Sequence, residues 1–170
     1  MPLTSIQRDV LALLASHRTL DSYLAGGAAI HFTLDTIRFS RDLDFFNDSA
    51  ARVATAFADD NRALITSGYT VDIEISQPGF IRAIVQLGDS ATRIDWAHDS
   101  AWRFMPAVRD KLGGLLMHPV DLAINKPLAL AGREEARDSI WQQTLIYKTR
   151  SAPGLSHCRR SFERSSIASS

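Results

Sequence analysis

Apolar residues Ile6, Val10, Leu13 and Leu14 recur at helical spacing and predict a helix from Ile6 to Leu14, stopped by the polar stretch Ser16 to Thr19. Ser22-Tyr23-Leu24-Ala25, Gly26-Gly27 and Ala28-Ala29-Ile30-His31-Phe32 then read as a short strand, a tight turn and a helix. From Arg38 to Asn47 the period changes to two. Arg38, Ser40, Asp42 and Asp44 share one side and Phe39, Arg41, Leu43 and Phe45 the other, which predicts a strand. A helix follows over Ala50 to Thr66 with Val53, Phe57, Leu64 and Ile65 facing inward, and Ser67-Gly68 ends it. Val71 to Ser76, Phe80 to Gly88 and Ala91 to Ala97 read as an antiparallel meander, with turns at Gln77-Pro78-Gly79 and Gly88-Asp89-Ser90. Val108 to Met117 adds one more strand, broken by Gly113-Gly114. Pro119 opens a helix through Leu122, Ile124, Leu128 and Leu130, which Pro127 should bend. The fold class implied is α+β, a mixed and mostly antiparallel sheet packed against helices.

Composition narrows this. At 170 residues, 45% hydrophobic and 22% charged, the chain is expected to fold as one domain over residues 1–150. Residues 151–170 hold seven serines and no apolar period, and read as a disordered tail. The 19 basic and 19 acidic residues cancel, so any polyanion must be bound by a local patch and not by the net charge. A single cysteine, Cys158, excludes an internal disulfide or a multi-cysteine metal site within one chain. The N-terminus carries no signal-peptide pattern, and the apolar runs Val10 to Ala15 and Leu24 to Ile30 are too short for a membrane span. A soluble, cytoplasmic protein without a membrane partner is expected.

The chemistry concentrates at Asp42 and Asp44. Carboxylates at i and i+2 of a strand project from one face, an arrangement suited to a hard cation such as Mg²⁺, which in phosphoryl and nucleotidyl transfer bridges the triphosphate. Asp95 is the candidate third ligand, on the polar side of its own strand between apolar Ile94 and Trp96. The Gly26-Gly27 turn would offer backbone N–H groups at a helix N-terminus, where phosphates bind. Each piece has an ordinary counterpart: a solvated Asp pair, or a glycine turn and nothing more. Their combination in this order carries the reading. Lys126, Arg133 and Arg137 share a helical face; they are either an anion-binding stripe, with Lys126 on the triphosphate, or an exposed face paired with Glu134, Glu135 and Asp138. Phe45, Phe46 and Trp96 read as core. The five histidines stand singly, without a zinc-ligand spacing, and no Gly-x-Ser-x-Gly elbow or P-loop is present.

Leu24-Ala25-Gly26-Gly27-Ala28-Ala29-Ile30, Arg38-Phe39-Ser40-Arg41-Asp42-Leu43-Asp44-Phe45-Phe46, and Lys126 with Arg133, Arg137 and Asp138 resemble the AbiEii/AbiGii nucleotidyltransferase toxin family over roughly residues 20–140. The resemblance implies a polymerase-beta-like nucleotidyltransferase core acting as the toxin of a type IV toxin–antitoxin or abortive-infection system. It implies Mg²⁺ on Asp42 and Asp44 and nucleotide phosphates at Gly26 and Gly27. Asp95 would complete the metal site, and Ser40, Lys126, Arg133 and Arg137 would contact the nucleotide or acceptor. A nucleoside triphosphate, an RNA acceptor such as tRNA and a cognate antitoxin are the implied partners. The family pattern would place an aspartate where Trp141 stands. Motif and apolar period both lapse near Ser139, as a frameshifted C-terminus would produce. Two alternatives stay open: an inactive member that only binds antitoxin or RNA, and an antibiotic nucleotidyltransferase with an enclosed acceptor pocket.

Overall fold

The computed structural model describes residues 3–33 and 42–130. Met1–Leu122 cluster as one compact unit and Ala123–Ser170 as another, and the sheet lies wholly in the first. The tail expected over 151–170, the domain end at 150, and Ser40, Arg133, Arg137, Asp138 and Trp141 lie outside the described residues.

Helix α1 spans Ser5–Leu14 and begins with a reciprocal cap. The Gln7 amide donates to Thr4 Oγ1 (3.3 Å) and the Thr4 amide to Gln7 Oε1 (3.0 Å), which satisfies two otherwise unpaired donors. A 3₁₀ turn, Ala15–His17, leads to β1 (Ser22–Ala25), and α2 (Gly26–Thr33) starts directly on the Gly-Gly pair. β2 is described from Asp42 to Asn47, while its expected beginning at Arg38 lies outside the described residues. Then come α3 (Ala50–Thr66), β3 (Thr70–Gln77), β4 (Phe80–Leu87), β5 (Ser90–His98), β6 (Val108–Asp110), β7 (Gly114–Leu116) and α4 (Pro119–Leu130). Helix α4 continues past Pro127 to Leu130.

The seven strands form one sheet in the order β3-β4-β5-β2-β1-β7-β6. β3, β4 and β5 are the expected antiparallel meander, whereas β2 runs parallel to β5 and β1 parallel to β7. The single broken strand expected over Val108 to Met117 is instead a hairpin of β6 and β7. Its turn closes at Gly114, with φ at +75° and an added Cβ only 2.4 Å from the Ala15 carbonyl oxygen, a place only glycine fits.

Alternation along β2 and β5 divides the sheet into two faces. Leu43, Phe45, Ile94 and Trp96 are fully buried, and α1 and α3 pack over this side. Truncating any of these four to alanine would cost about 2–5 kcal/mol through lost burial and the cavity left behind. The expectation that α3 turns Ile65 inward is overturned: Ile65 is exposed, and the covered stripe is Val53, Ala56, Asp60 and Leu64. Asp60 is buried without solvent contact and is held by three donors. Arg18 Nη2 reaches both its oxygens at 2.5 Å, His17 Nδ1 lies at 2.8 Å, and Trp96 Nε1 donates at 2.8 Å. The Arg18 guanidinium in turn sits 4.1 Å over the Phe45 ring. This cluster ties the α1–β1 connection, α3, β2 and β5 together beneath the opposite, partly open face.

Candidate active site

Asp42 and Asp44 occupy the partly exposed positions of β2, as the period of two requires, with Leu43 and Phe45 buried between and beyond them. The parallel pairing of β2 with β5 sets Asp44 opposite Asp95 and Asp42 opposite Arg93. Neighbouring strands stand about 4.8 Å apart, so the expected third carboxylate arrives directly beside the second. On the other flank, β1 pairs Asp44 with Ala25, the residue before Gly26. The structure thereby joins Gly26, Gly27, Asp42, Asp44 and Asp95 into one neighbourhood.

The Gly-Gly turn fits closely around Asp44. Gly26 has φ at +60°, and a Cβ built there would lie 1.9 Å from Asp44 Oδ2, far inside van der Waals contact. The Gly27 backbone N–H donates to the Asp44 carboxylate. One of the amides expected to meet phosphate is therefore already in use for orienting Asp44.

Among the described residues, Asp44 forms no ion pair with lysine or arginine, while each of its acidic neighbours does. Arg93 Nη2 donates to Asp42 Oδ2 at 2.5 Å. Arg82, the antiparallel partner of Asp95 on β4, grips Asp95 with a fork: Nε to Oδ1 at 2.8 Å and Nη2 to Oδ2 at 2.6 Å. Desolvation first, then the negative charges of Asp95 and Asp42, push the Asp44 carboxyl up to about 7, against the smaller opposing pull of the Gly27 amide and the Arg93 charge. Burial and two like charges thus act together on this carboxyl, an environment in which a cation would be welcome.

The three carboxylates supply only oxygen donors, the set a hard divalent ion prefers. Among the described residues no three acidic, histidine or cysteine side chains stand closed around a metal position, and two of these three aspartates are engaged by arginines. The donor chemistry fits the ion. Lys126 lies in the backbone of α4, with no description of its side chain. Sequence reasoning missed the guanidinium partners. Arg93 was legible in principle, two residues before Asp95 on the same strand face, whereas Arg82 becomes a neighbour only through the β4–β5 register.

No protein-family model matches the sequence, and no curated protein matches it. Among solved structures, JHP933 from Helicobacter pylori superimposes with a TM-score of 0.57 at 20% identity, over 82% of this chain and 62% of that one. A second H. pylori protein, described as a candidate nucleotidyltransferase, gives 0.52 at 18% identity over 71% and 54%. The chain thus spans little more than half the length of these two. ANT(2")-Ia, solved in complex with adenylyl-2"-tobramycin, gives 0.53 at 14% identity over 94% of this chain and 96% of that one. The AbiEii/AbiGii assignment finds no counterpart among these matches. With its seven-stranded mixed sheet and its aspartates on adjoining strands, the chain has the nucleotidyltransferase fold.

Proposed function

We propose that this protein is a magnesium-dependent nucleotidyltransferase that moves a nucleoside monophosphate from a nucleoside triphosphate to a hydroxyl acceptor. The observation that carries the proposal is the placement of Asp42, Asp44 and Asp95 on adjoining strands, with the Gly26–Gly27 turn closed onto Asp44. Asp42 and Asp44 would hold Mg²⁺, with Asp95 completing the site. When bound, the ion supplies charge neutralisation for the triphosphate and polarisation of the attacking hydroxyl. The acceptor oxygen attacks the α-phosphorus, the bond to the bridging oxygen breaks, and pyrophosphate leaves. On this reading Asp95, on the side of Asp44 away from the glycine turn, takes up the hydroxyl proton. Gly26 and Gly27 hold Asp44 in position and face the phosphates; Ser40, Lys126, Arg133 and Arg137 contribute to holding nucleotide and acceptor, Lys126 as a point charge. The functional domain on this reading is residues 1–150.

The acceptor is RNA, with tRNA the first to test, and the biological role is that of a toxin neutralised by a cognate antitoxin. This finer reading rests on the motif resemblance. The small-molecule alternative is favoured by one observation, the match to an aminoglycoside-bound nucleotidyltransferase along nearly the whole of both chains.

Purified protein incubated with Mg²⁺, each labelled nucleoside triphosphate and total tRNA should transfer label, and Asp44→Asn should reduce transfer by at least about 100-fold. Label passing to aminoglycosides and not to tRNA would move the assignment to the small-molecule reading. Equal transfer by Asp44→Asn and wild type would overturn the active site itself.

A further inference from the structure

Asp95 has a cation partner already. Arg82 faces it across the β4–β5 ladder, and the fork engages both carboxylate oxygens from the side opposite Asp44. The pair is partly shielded, with side-chain exposures of 28% for Arg82 and 11% for Asp95, so water screens it only in part. A divalent ion seated between Asp44 and Asp95 would lie within a few ångströms of this guanidinium, repel its like charge and draw on the same two oxygens. In this same position the guanidinium has two further attractions on its outer side. The Phe80 ring lies 5.3 Å from its central carbon, and Glu74 on edge strand β3 attracts it electrostatically.

We propose that Arg82 is a latch on Asp95: it holds the carboxylate when no metal ion is present, and must release it toward Phe80 and Glu74 when the ion binds. The inference rests on the reading of Asp42, Asp44 and Asp95 as a metal site. Arg82 is then a positioning residue whose release is coupled to loading of the site. The order β4-β5-β2-β1 sets the freed guanidinium beyond Asp95, on the flank away from the glycine turn.

The test is Mn²⁺ binding to the nucleotide-free protein, followed by electron paramagnetic resonance of the free ion, in wild type, Arg82→Lys, Arg82→Gln and Asp44→Asn. Arg82→Lys keeps the charge and cannot fork, so the latch predicts binding roughly threefold tighter than wild type; Arg82→Gln should gain about tenfold. Tighter binding in Arg82→Gln with none in Arg82→Lys would reduce the effect to general charge and overturn the latch. Unchanged or weaker binding in both would overturn it too, leaving Arg82 as a support for Asp95. If Arg82→Gln fails to fold, Arg82→Lys alone decides. Asp44→Asn separates the two levels: wild-type binding that survives this change refutes the metal site, whereas binding lost in Asp44→Asn and indifferent to Arg82 refutes only the latch.

Discussion

Asp44 is the residue on which sequence pattern, backbone and charge converge. Its carboxyl sits where a Cβ on Gly26 would fall, so Gly26→Ala forces the carboxylate out of place and adds the strain of a left-handed φ. Denaturant unfolding should show a loss of about 1–3 kcal/mol, accompanied by weaker Mn²⁺ binding. The raised carboxyl gives a second expectation. Folded Asp44 keeps its proton up to about pH 7, while in the unfolded chain it ionises near pH 4, so the native state binds the extra proton between these limits. Stability of the metal-free protein therefore falls as pH rises through that window, and the penalty is complete above it. Asp44→Asn removes the penalty. Unfolding by urea should find the variant about 1–3 kcal/mol more stable than wild type at pH 8 and equal to it at pH 4, the range being below the full linkage because the side chain keeps some solvent contact. A difference that is the same at both pH values would contradict the assigned cause.

At the scale of elements, the site depends on how β5 is fastened. Trp96 lies on the buried face next to Asp95, and its indole N–H ends on Asp60 of α3, which also receives Arg18 and His17. Phe57 meets the Trp96 ring edge-on at 5.1 Å, so the same helix holds the indole by packing and by a hydrogen bond. Removing the Asp60 charge strands a buried guanidinium. Asp60→Asn should cost about 3–5 kcal/mol in equilibrium unfolding, a loss expected when one partner of a buried ion pair is deleted. A change below about 1 kcal/mol would show that the cluster is incidental to stability. The β5–β6 connection is secured separately. Arg103 forks onto Asp48 at 2.7 and 2.8 Å, and the Phe104 and Met105 amides donate to Asp121 at 2.8 and 3.1 Å.

For the molecule as a whole, sheet order sets where structure is firm. β2 and β1 lie inside the sheet, with β5 alongside, while β3 and β6 are edges, and β3 is exposed along nearly its whole length. Amide hydrogen exchange should be slowest in Leu43–Phe45 and Ile94–Trp96 and fastest in β3 and β6, because opening an edge exposes little buried apolar surface. Protection in β3 equal to that in β2 would indicate a covering partner on that edge. Among the described residues no helix is long and apolar enough to cross a membrane.

Local features were readable from the chain alone. The i, i+2 spacing of Asp42 and Asp44, the glycine pair before a helix, and the alternation that buries Leu43, Ile94 and Trp96 follow from the period of a strand and the steric freedom of glycine. The meander was legible for the same reason: its turns are short and its partners adjacent in sequence. What only the tertiary structure decided are pairings between distant segments. The parallel β2–β5 ladder sets Asp95 beside Asp44, the β4–β5 register sets Arg82 on Asp95, and α3 packing turns Asp60 inward while leaving Ile65 in solvent. Periodicity says which face a residue takes. Which other residue it meets there is set by strand order and register, and these are fixed by burial of the whole sheet and not by any one segment.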